Sequence, residues 1–183
     1  MPRAGLSPDA VVDAALALLD EQGVEPAFAA VAAKAGVAPP SLYKHVRSAA
    51  DLRSLVGQRI LGEFGDKLGG AVMGRSGDDA ETALMLAWRG YVRDHPHRYT
   101  MMSLQPLTDP ALAETGRRLL QAIIAVLSGY GLTGTEAVHA ARRLRAAAHG
   151  FTVLEAQGGF GLPQEIDASY DLVIAMVITS LRA

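Results

Sequence analysis

The sequence contains no cysteine, few aromatic residues and no hydrophobic run long enough to cross a membrane. Without cysteine there can be no disulfide framework and no thiolate zinc site, so nothing in the composition indicates an oxidising compartment. The most apolar run, 172–181, is about half of the ~20 residues that a membrane-spanning helix needs. Asp9 and Asp13 interrupt the N-terminal region, which therefore lacks the apolar stretch of an export signal. These absences predict a cytoplasmic protein with no membrane partner.

The residues that are present favour helices. Hydrophobic residues make up 50% of the 183 positions and aromatic residues only 5%, while alanine and leucine recur throughout. This composition favours helices over sheets and supplies enough apolar surface for a core. We expect an all-α fold, built either as one medium domain or as a small domain followed by a larger one.

Capping residues and apolar spacing divide the chain into helices. Ser7 can cap free N–H groups and Pro8 is tolerated at a first helical position, so a helix starts here and ends near Gly23. Its apolar stripe, at i, i+3, i+4 and i+7, consists of Val12, Ala15, Leu16 and Leu19. The later helices are predicted at about 28–35, 39–45, 48–68, 79–94, 98–102, 109–128, 135–157 and 167–181, with glycine-rich linker sequence at 69–70 and 74–79.

Charge is unevenly distributed along the chain, although the formal net charge is only −2. The segment from Lys34 to Arg59 holds five basic side chains and a single acid, Asp51. Such a segment can bind phosphates, but it can equally be an ordinary solvated helix surface. Charge alone leaves both interpretations open.

The second and third predicted helices are joined by a short turn, which is the layout of a helix-turn-helix. Ala32 is small enough for a close helix crossing, and Gly36 allows the chain to turn sharply. Val37 and Leu42 fill the space between the helices. The side chains left facing outward are Pro39, Pro40, Ser41, Tyr43 and Lys44. A helix about 10–12 Å across fits the ~12 Å major groove, so the pattern predicts a DNA-reading helix.

The run from Val31 to Val46, VAAKAGVAPPSLYKHV, resembles the DNA-binding signature of the TetR family of transcriptional regulators. The resemblance covers residues 7–55 in order. It implies an N-terminal three-helix helix-turn-helix domain at 1–52, a connecting helix at 48–68, and a C-terminal helical domain at 53–183 for ligand binding and dimerisation. The segment 149–155 and the loop 158–163 further resemble one C-terminal subclass with a His-Gly motif in a late helix.

The resemblance also implies roles for individual residues. Pro39, Pro40 and Ser41 would lie near base edges, whereas Tyr43, Lys44 and His45 would lie on phosphates. The predicted DNA-binding set is completed by Lys34 and Arg47. Tyrosine and lysine both donate to phosphate oxygens, which fixes the register on DNA without reading its sequence.

Three positions depart from the family pattern. Ala27 stands where a capping serine or threonine is frequent, Val46 where an aromatic residue is usual, and Ala49 where a phosphate-binding lysine is common. Arg47 or Arg53 could supply that phosphate contact instead, so the phosphate ligand at the start of the fourth helix stays open.

Several apolar and aromatic residues of the predicted C-terminal domain could enclose a ligand. The candidates are Met85, Trp88, Tyr91, Tyr99, Met102, His149, Phe151 and Leu154. An apolar cavity with a few hydrogen-bonding groups is how small-molecule sites are built, but ordinary core packing uses the same residue types. The resemblance implies an apolar or amphipathic effector.

The last predicted helix is apolar on all sides, so one face is left over after it packs on its own domain. Its candidate dimer contacts are Leu172, Ile174, Val177, Ile178 and Leu181. The alternative is a central helix buried within one subunit. The resemblance implies that the last two long helices form a four-helix bundle with those of a second subunit.

Two short motifs match chemical patterns but lack the context that the chemistry needs. The S-x-x-K match from Ser41 to Lys44 has no companion motif and no enclosed pocket. The G-x-G-x-x-G match at 129–134 follows a helix instead of a strand, and the five histidines lack metal-ligand spacing. We therefore expect no catalytic residue, no metal and no cofactor.

These observations favour a homodimeric regulator that binds a pseudo-palindromic DNA operator and leaves it when a small-molecule effector binds. Repression is the family's usual mode, and activation stays open. The alternatives are an enzyme that uses the C-terminal cavity and a helical small-molecule-binding or interaction module.

Overall fold

The computed structural model describes residues 6–182, and within this range the chain forms nine α-helices and no strand. They are α1 (Pro8–Gln22), α2 (Phe28–Lys34), α3 (Pro39–Leu42), α4 (Ala49–Val72), α5 (Gly77–Asp94), α6 (Pro96–Met101), α7 (Ala113–Ser128), α8 (Gly134–Ala156) and α9 (Ile166–Leu181). The all-α prediction is confirmed. Residues 1–5, which bear on the predicted lack of an export signal, and the outer limits of the two predicted domains lie outside the described residues. None of the described helices is long and apolar enough to cross a bilayer.

The chain divides into two compact units, and α4 contributes residues to both. The first unit combines Met1–Gly62 with His97–Thr115, and the second combines Glu63–Pro96 with Gly116–Ala183. The first unit thus extends beyond the predicted boundary at residue 52 and includes a later segment. The reason is packing, because Val56 and Ile60 of α4 belong to its core and Met101 and Met102 pack against that core.

The sequence of α1 explains both its ends and its buried face. The Ser7 hydroxyl accepts a hydrogen bond from the Ala10 N–H at 3.1 Å, and Gly23 closes the helix with a left-handed φ of 71°. The predicted apolar stripe is buried in the first unit. At the far end of the helix the Asp20 carboxylate accepts from the Arg98 guanidinium at 2.6 Å, which ties α6 to α1.

The second unit is built from α5, α7, α8, α9 and the end of α4, with α5 packed against α8 and α9. Phe64 lies edge-on to Trp88, with 5.0 Å between ring centroids. Arg89 of α5, only 6% exposed, donates to both Glu155 oxygens at 2.6 and 2.7 Å and to Asp167 at 2.6 Å. This ion-pair network fastens α5, α8 and α9 together.

The predicted linker at 69–70 is wrong. α4 continues through Gly69 and Gly70 to Val72, and only residues 73–76 separate it from α5. Glycine weakens a helix by roughly 1 kcal/mol relative to alanine, which the packing of the fully buried Leu61, Phe64 and Leu68 on the same helix offsets.

Candidate nucleic-acid interface and ligand site

The turn between α2 and α3 has the geometry that the sequence predicts. Gly36 adopts a left-handed φ of 71°. The Val37 N–H donates to the Ala32 carbonyl and the Gly36 N–H to the Ala33 carbonyl, each at 3.0 Å. This is a Schellman motif, in which glycine takes the left-handed position without a side-chain clash. Ala32 itself is fully buried, so the helix crossing is close.

α3 is shorter than predicted and ends at Leu42, although hydrogen-bonded turns continue through residue 45. The His45 and Val46 N–H groups both donate to the Leu42 carbonyl, at 2.8 and 2.9 Å. The buried Leu42 and Val46 hold this segment on the core. Of the predicted DNA contacts here, the exposed ones are Pro39, Pro40, Tyr43 and Lys44, and the half-buried ones are Ser41 and His45.

Tyr43 is held in place by an aromatic neighbour. Its side chain is 60% exposed, and its ring lies 5.0 Å from that of Phe28, measured between centroids. The packing fixes one side of the ring while the hydroxyl end stays available. A phosphate donor that is already oriented loses less conformational entropy on binding.

The start of α4 is a capping box variant. The Ser48 hydroxyl accepts from the Asp51 N–H at 3.1 Å, and the Asp51 carboxylate accepts from the Arg47 N–H at 2.8 Å. Arg47 also donates through its guanidinium to Asp51 at 2.7 Å. The hydrogen bonds from Arg47 hold the pKa of Asp51 below its usual value.

Most basic side chains of the first unit already have acidic partners. Lys34 pairs with Glu21, Arg53 with Glu25 at 2.7 Å, and Arg59 with Asp9 and Asp13 at 2.7 and 2.9 Å, so the cations are shared with the acids of α1 and the α1–α2 loop. Over its described residues the unit carries six basic and eight acidic side chains. The basic segment seen in the sequence is therefore largely neutralised by its surroundings.

The predicted ligand residues fall in both units. Tyr99 and Met102 belong to the first, where Tyr99 is buried and Met102 packs against the core. The candidates that belong to the second unit are Met85, Trp88, Tyr91, His149, Phe151 and Leu154. Of these, three on one face of α5 are buried, namely Met85, Trp88 and Tyr91, whereas Leu154 is 49% exposed.

The half-buried residues of α8 in this set have partners in the second unit. Phe151 lies 4.7 Å from Phe160 and 4.9 Å from Tyr170, measured between ring centroids. The Tyr170 hydroxyl donates to the Met85 carbonyl at 2.8 Å. Burial, followed by the charge of Arg145, lowers the pKa of His149.

The sequence analysis missed Glu81. This side chain is 0% exposed, and neither carboxylate oxygen has a hydrogen-bond partner within residues 6–182. Burial raises its pKa to about 7. A signal was present, because Glu81 occupies position i of a stripe continued by Leu84, Met85 and Trp88 at i+3, i+4 and i+7.

The predicted dimer contacts on α9 divide between the interior and the surface. Ile174, Val177 and Leu181 are 5%, 2% and 3% exposed, so they pack inside their own subunit and are not available to a second one. Leu172 is 72% exposed and Ile178 is half-buried. Met176, which the sequence analysis did not select, is 59% exposed on the same helix.

Comparison with known proteins bears on both parts of the chain. A family model described as "Bacterial regulatory proteins, tetR family" matches residues 11–54. Another, described as "Tetracyclin repressor-like, C-terminal domain", matches residues 82–177. The predicted likeness of segment 149–155 to a His-Gly subclass stays a prediction.

Two regulators are similar to this chain in sequence. The uncharacterized HTH-type transcriptional regulator Rv0681 of Mycobacterium tuberculosis is 39% identical over 158 residues, which cover 85% of this chain and 72% of that protein. The uncharacterized HTH-type transcriptional regulator YobS of Bacillus subtilis is 32% identical over 183 residues, which cover 98% of this chain and 95% of that protein.

A solved structure extends the likeness to the fold. The transcriptional regulator SCO7222, a TetR from Streptomyces coelicolor, gives a TM-score of 0.75 at 18% identity, over 97% of this chain and 98% of that chain. Since one family model alone matches more than half of the residues and a relative at 32% identity spans nearly the whole length, this chain belongs to the TetR family of DNA-binding transcriptional regulators.

Proposed function

We propose that the chain is a homodimeric repressor that binds a pseudo-palindromic operator and releases it when a small molecule binds the second unit. The observation that carries the DNA-binding part is the α2–α3 turn, which leaves Pro39, Pro40, Tyr43 and Lys44 exposed on one short segment. Release by a small-molecule effector is typical of the family. Ser41 lies between these residues and reads base edges, while Tyr43 and Lys44 donate to phosphates.

Dimerisation uses the exposed apolar side chains of the last two helices. Leu172 and Met176 are one helical turn apart on α9, and Val138 of α8 is 44% exposed. Exposed apolar side chains on these two helices indicate a protein contact. A two-fold dimer then presents two recognition segments about 34 Å apart, or a small multiple of that, on one face of the duplex.

The place of action and the lack of catalysis follow from this role. A repressor acts where chromosomal DNA is, so we place the protein in the cytoplasm. Its function is completed by binding alone, and no side chain is assigned a catalytic part.

The experiment that tests the proposal is selection of DNA from a random pool by the full-length chain, followed by sequencing. We expect a motif with two related half-sites. Ser41→Arg changes the selected motif because Ser41 faces the bases, whereas a variant that selects the same motif contradicts the assigned groove geometry. A wild-type chain that selects no sequence at all contradicts the function itself.

A further inference from the structure

Glu81 is the one side chain of the described residues whose buried carboxylate oxygens both lack a protein hydrogen-bond partner. It lies in the first turns of α5, and its whole surface is enclosed. The neighbours on its face of the helix are apolar, since Leu84 and Met85 are fully buried and Trp88 is 3% exposed. An acidic group therefore projects into the apolar interior of the second unit.

The arginines that could neutralise Glu81, Arg182 and Arg89, already form ion pairs with other carboxylates. Asp78, one turn before Glu81, accepts a hydrogen bond from the Tyr130 hydroxyl at 3.0 Å and pairs with Arg182. Arg89, two turns after Glu81, forms its ion pairs with Glu155 and Asp167. Only burial shifts the pKa of Glu81, which agrees with the absence of a charged partner for its carboxyl within residues 6–182.

The stability of the fold does not explain why an acid occupies position 81. A buried polar group without a partner is destabilising, and an apolar side chain of similar volume at the same place costs the fold nothing. The free protein accommodates Glu81 by holding a proton on it, since burial raises its pKa to about 7. Buried acids of this kind occur preferentially at functional sites.

We propose that Glu81 anchors the effector, and that the effector is an organic cation with a protonated amine on an apolar body. The inference rests on the proposed function, because it names the ligand class of the same sensing unit. An ammonium group donates up to three hydrogen bonds to the carboxylate that otherwise has none. The apolar body lies along the Met85 and Trp88 side of α5.

The ligand enters at the end of α5 where Tyr130 lies. Tyr130 is half-buried, and its hydroxyl is close enough to Glu81 for the carboxylate to help raise the tyrosine pKa. Opening the contact between Tyr130 and Asp78 exposes Glu81 from this end.

Binding of the amine is linked to a proton. An ammonium pairs with the ionised carboxylate, so the proton on Glu81 leaves to the solvent as the amine binds. The amine stays charged between pH 6 and pH 8, whereas Glu81 of the free chain loses its proton over the same range. The affinity of the chain for the amine therefore rises by about tenfold from pH 6 to pH 8. A neutral ligand of the same shape shows no such rise.

The test uses the full-length chain and three probes with the same apolar body: 4-phenylbutylamine, 4-phenylbutanol and 5-phenylpentanoate. Binding is followed by the fluorescence of Trp88, the only tryptophan, and by calorimetry in two buffers of different ionisation enthalpy. We expect the amine to bind at least tenfold more tightly than the alcohol or the acid at pH 8, and to release close to one proton at pH 6, where Glu81 of the free chain is protonated. Glu81→Gln abolishes both the preference and the pH dependence, whereas Glu136→Gln, an exposed glutamate of α8, preserves them.

Three results overturn the inference: equal binding of amine and alcohol, a Glu81→Gln variant that keeps the amine preference, or no amine binding at millimolar concentration. DNA selection by the free chain is measured in parallel. A chain that selects an operator and is released by the alcohol as readily as by the amine keeps the proposed function and loses the inference. A chain that selects no DNA loses the proposed function whatever the probes do.

Discussion

Lys44 stands apart from the other cations of the helix-turn-helix unit. The neighbouring basic side chains pair with carboxylates, and the unit as a whole carries more acids than bases. Lys44 is exposed beside Tyr43 and forms no ion pair with any residue of 6–182 that would have to break on DNA. Affinity for phosphate at this surface is therefore concentrated in few residues.

Lys44→Ala is expected to weaken binding to operator and random DNA alike. Removing one phosphate contact releases one counterion fewer, so the slope of log K against log salt falls in magnitude by about 1. Fluorescence anisotropy at several salt concentrations measures both effects. Lys67→Ala, an exposed lysine of the second unit, is the matched control; equal slopes for the two variants contradict the phosphate role.

Glu81 makes the stability of the free protein depend on pH. Its pKa is about 7 in the folded chain against an ordinary value of 4.5. Between these values the unfolded chain has lost the proton that the folded chain retains. The contribution of this proton to the free energy of unfolding is thus complete below pH 4.5, falls as the pH rises to 7, and stays low above pH 7. The total loss is on the order of 3 kcal/mol.

The substitution Glu81→Met is expected to remove this loss of stability at high pH. The variant is expected to be more stable than the wild type at pH 8, because an apolar side chain replaces an unpaired buried acid, and the advantage shrinks at pH 5. Urea unfolding of both proteins at the two pH values gives the comparison. An advantage that does not change with pH assigns the effect to packing instead of to the titration of Glu81.

Sequence reasoning reached some residues and missed others for a physical reason. Ala32, Gly36 and Leu42 could be placed because a tight turn between crossing helices constrains residue size and backbone angle directly. Glu81 was missed because periodicity identifies buried positions from apolar residues, and an acid in such a position looks like solvated surface. Its lack of a partner depends on side chains from other helices, which the sequence does not position.

At the scale of helices, the spacing of apolar residues could not predict which face of α9 is buried. A helix that is apolar on all sides gives no face to choose, so the sequence favoured Ile174 and Leu172 equally. Packing against α5 and α8 decides, and it buries Ile174 while Leu172 stays exposed. The helix itself was predicted to within one residue at its start, since the preceding loop, with its glycines and a proline, is a local signal.

Leu172→Asp is expected to split the dimer. A carboxylate at the centre of an apolar interface costs several kcal/mol unless it is paired, while the fold tolerates it because the site is 72% exposed in the single subunit. Leu162→Asp is the matched control, since Leu162 is 79% exposed in the loop between α8 and α9. Sedimentation at micromolar concentration measures both, and a wild-type monomer there contradicts the dimer.

At the scale of the whole molecule, α4 is a long helix with more than two turns in each of the two units. Its first turns bury Leu52 and Val56 in the helix-turn-helix core, and its later turns bury Phe64 and Leu68 in the second unit. Phe64 contacts Trp88 and Tyr91 of α5. A ligand that moves α5 therefore acts on a helix that continues into the DNA-binding unit.

Because operator and effector act on the same helix, each is expected to weaken the other by the same factor. A ligand releases DNA only by as much as it prefers the released form, typically 1–3 kcal/mol, or about 5- to 150-fold. Thermodynamic linkage then requires that saturating operator lowers the affinity of the ligand by that same ratio. Titrating a ligand that changes Trp88 fluorescence, first into the free chain and then into the chain saturated with its selected DNA, measures one factor. Titrating DNA with and without the ligand measures the other. Equal factors above about fivefold support a sensor that acts through the fold, whereas a ligand that binds both forms equally well has no influence on the operator, however tightly it is held.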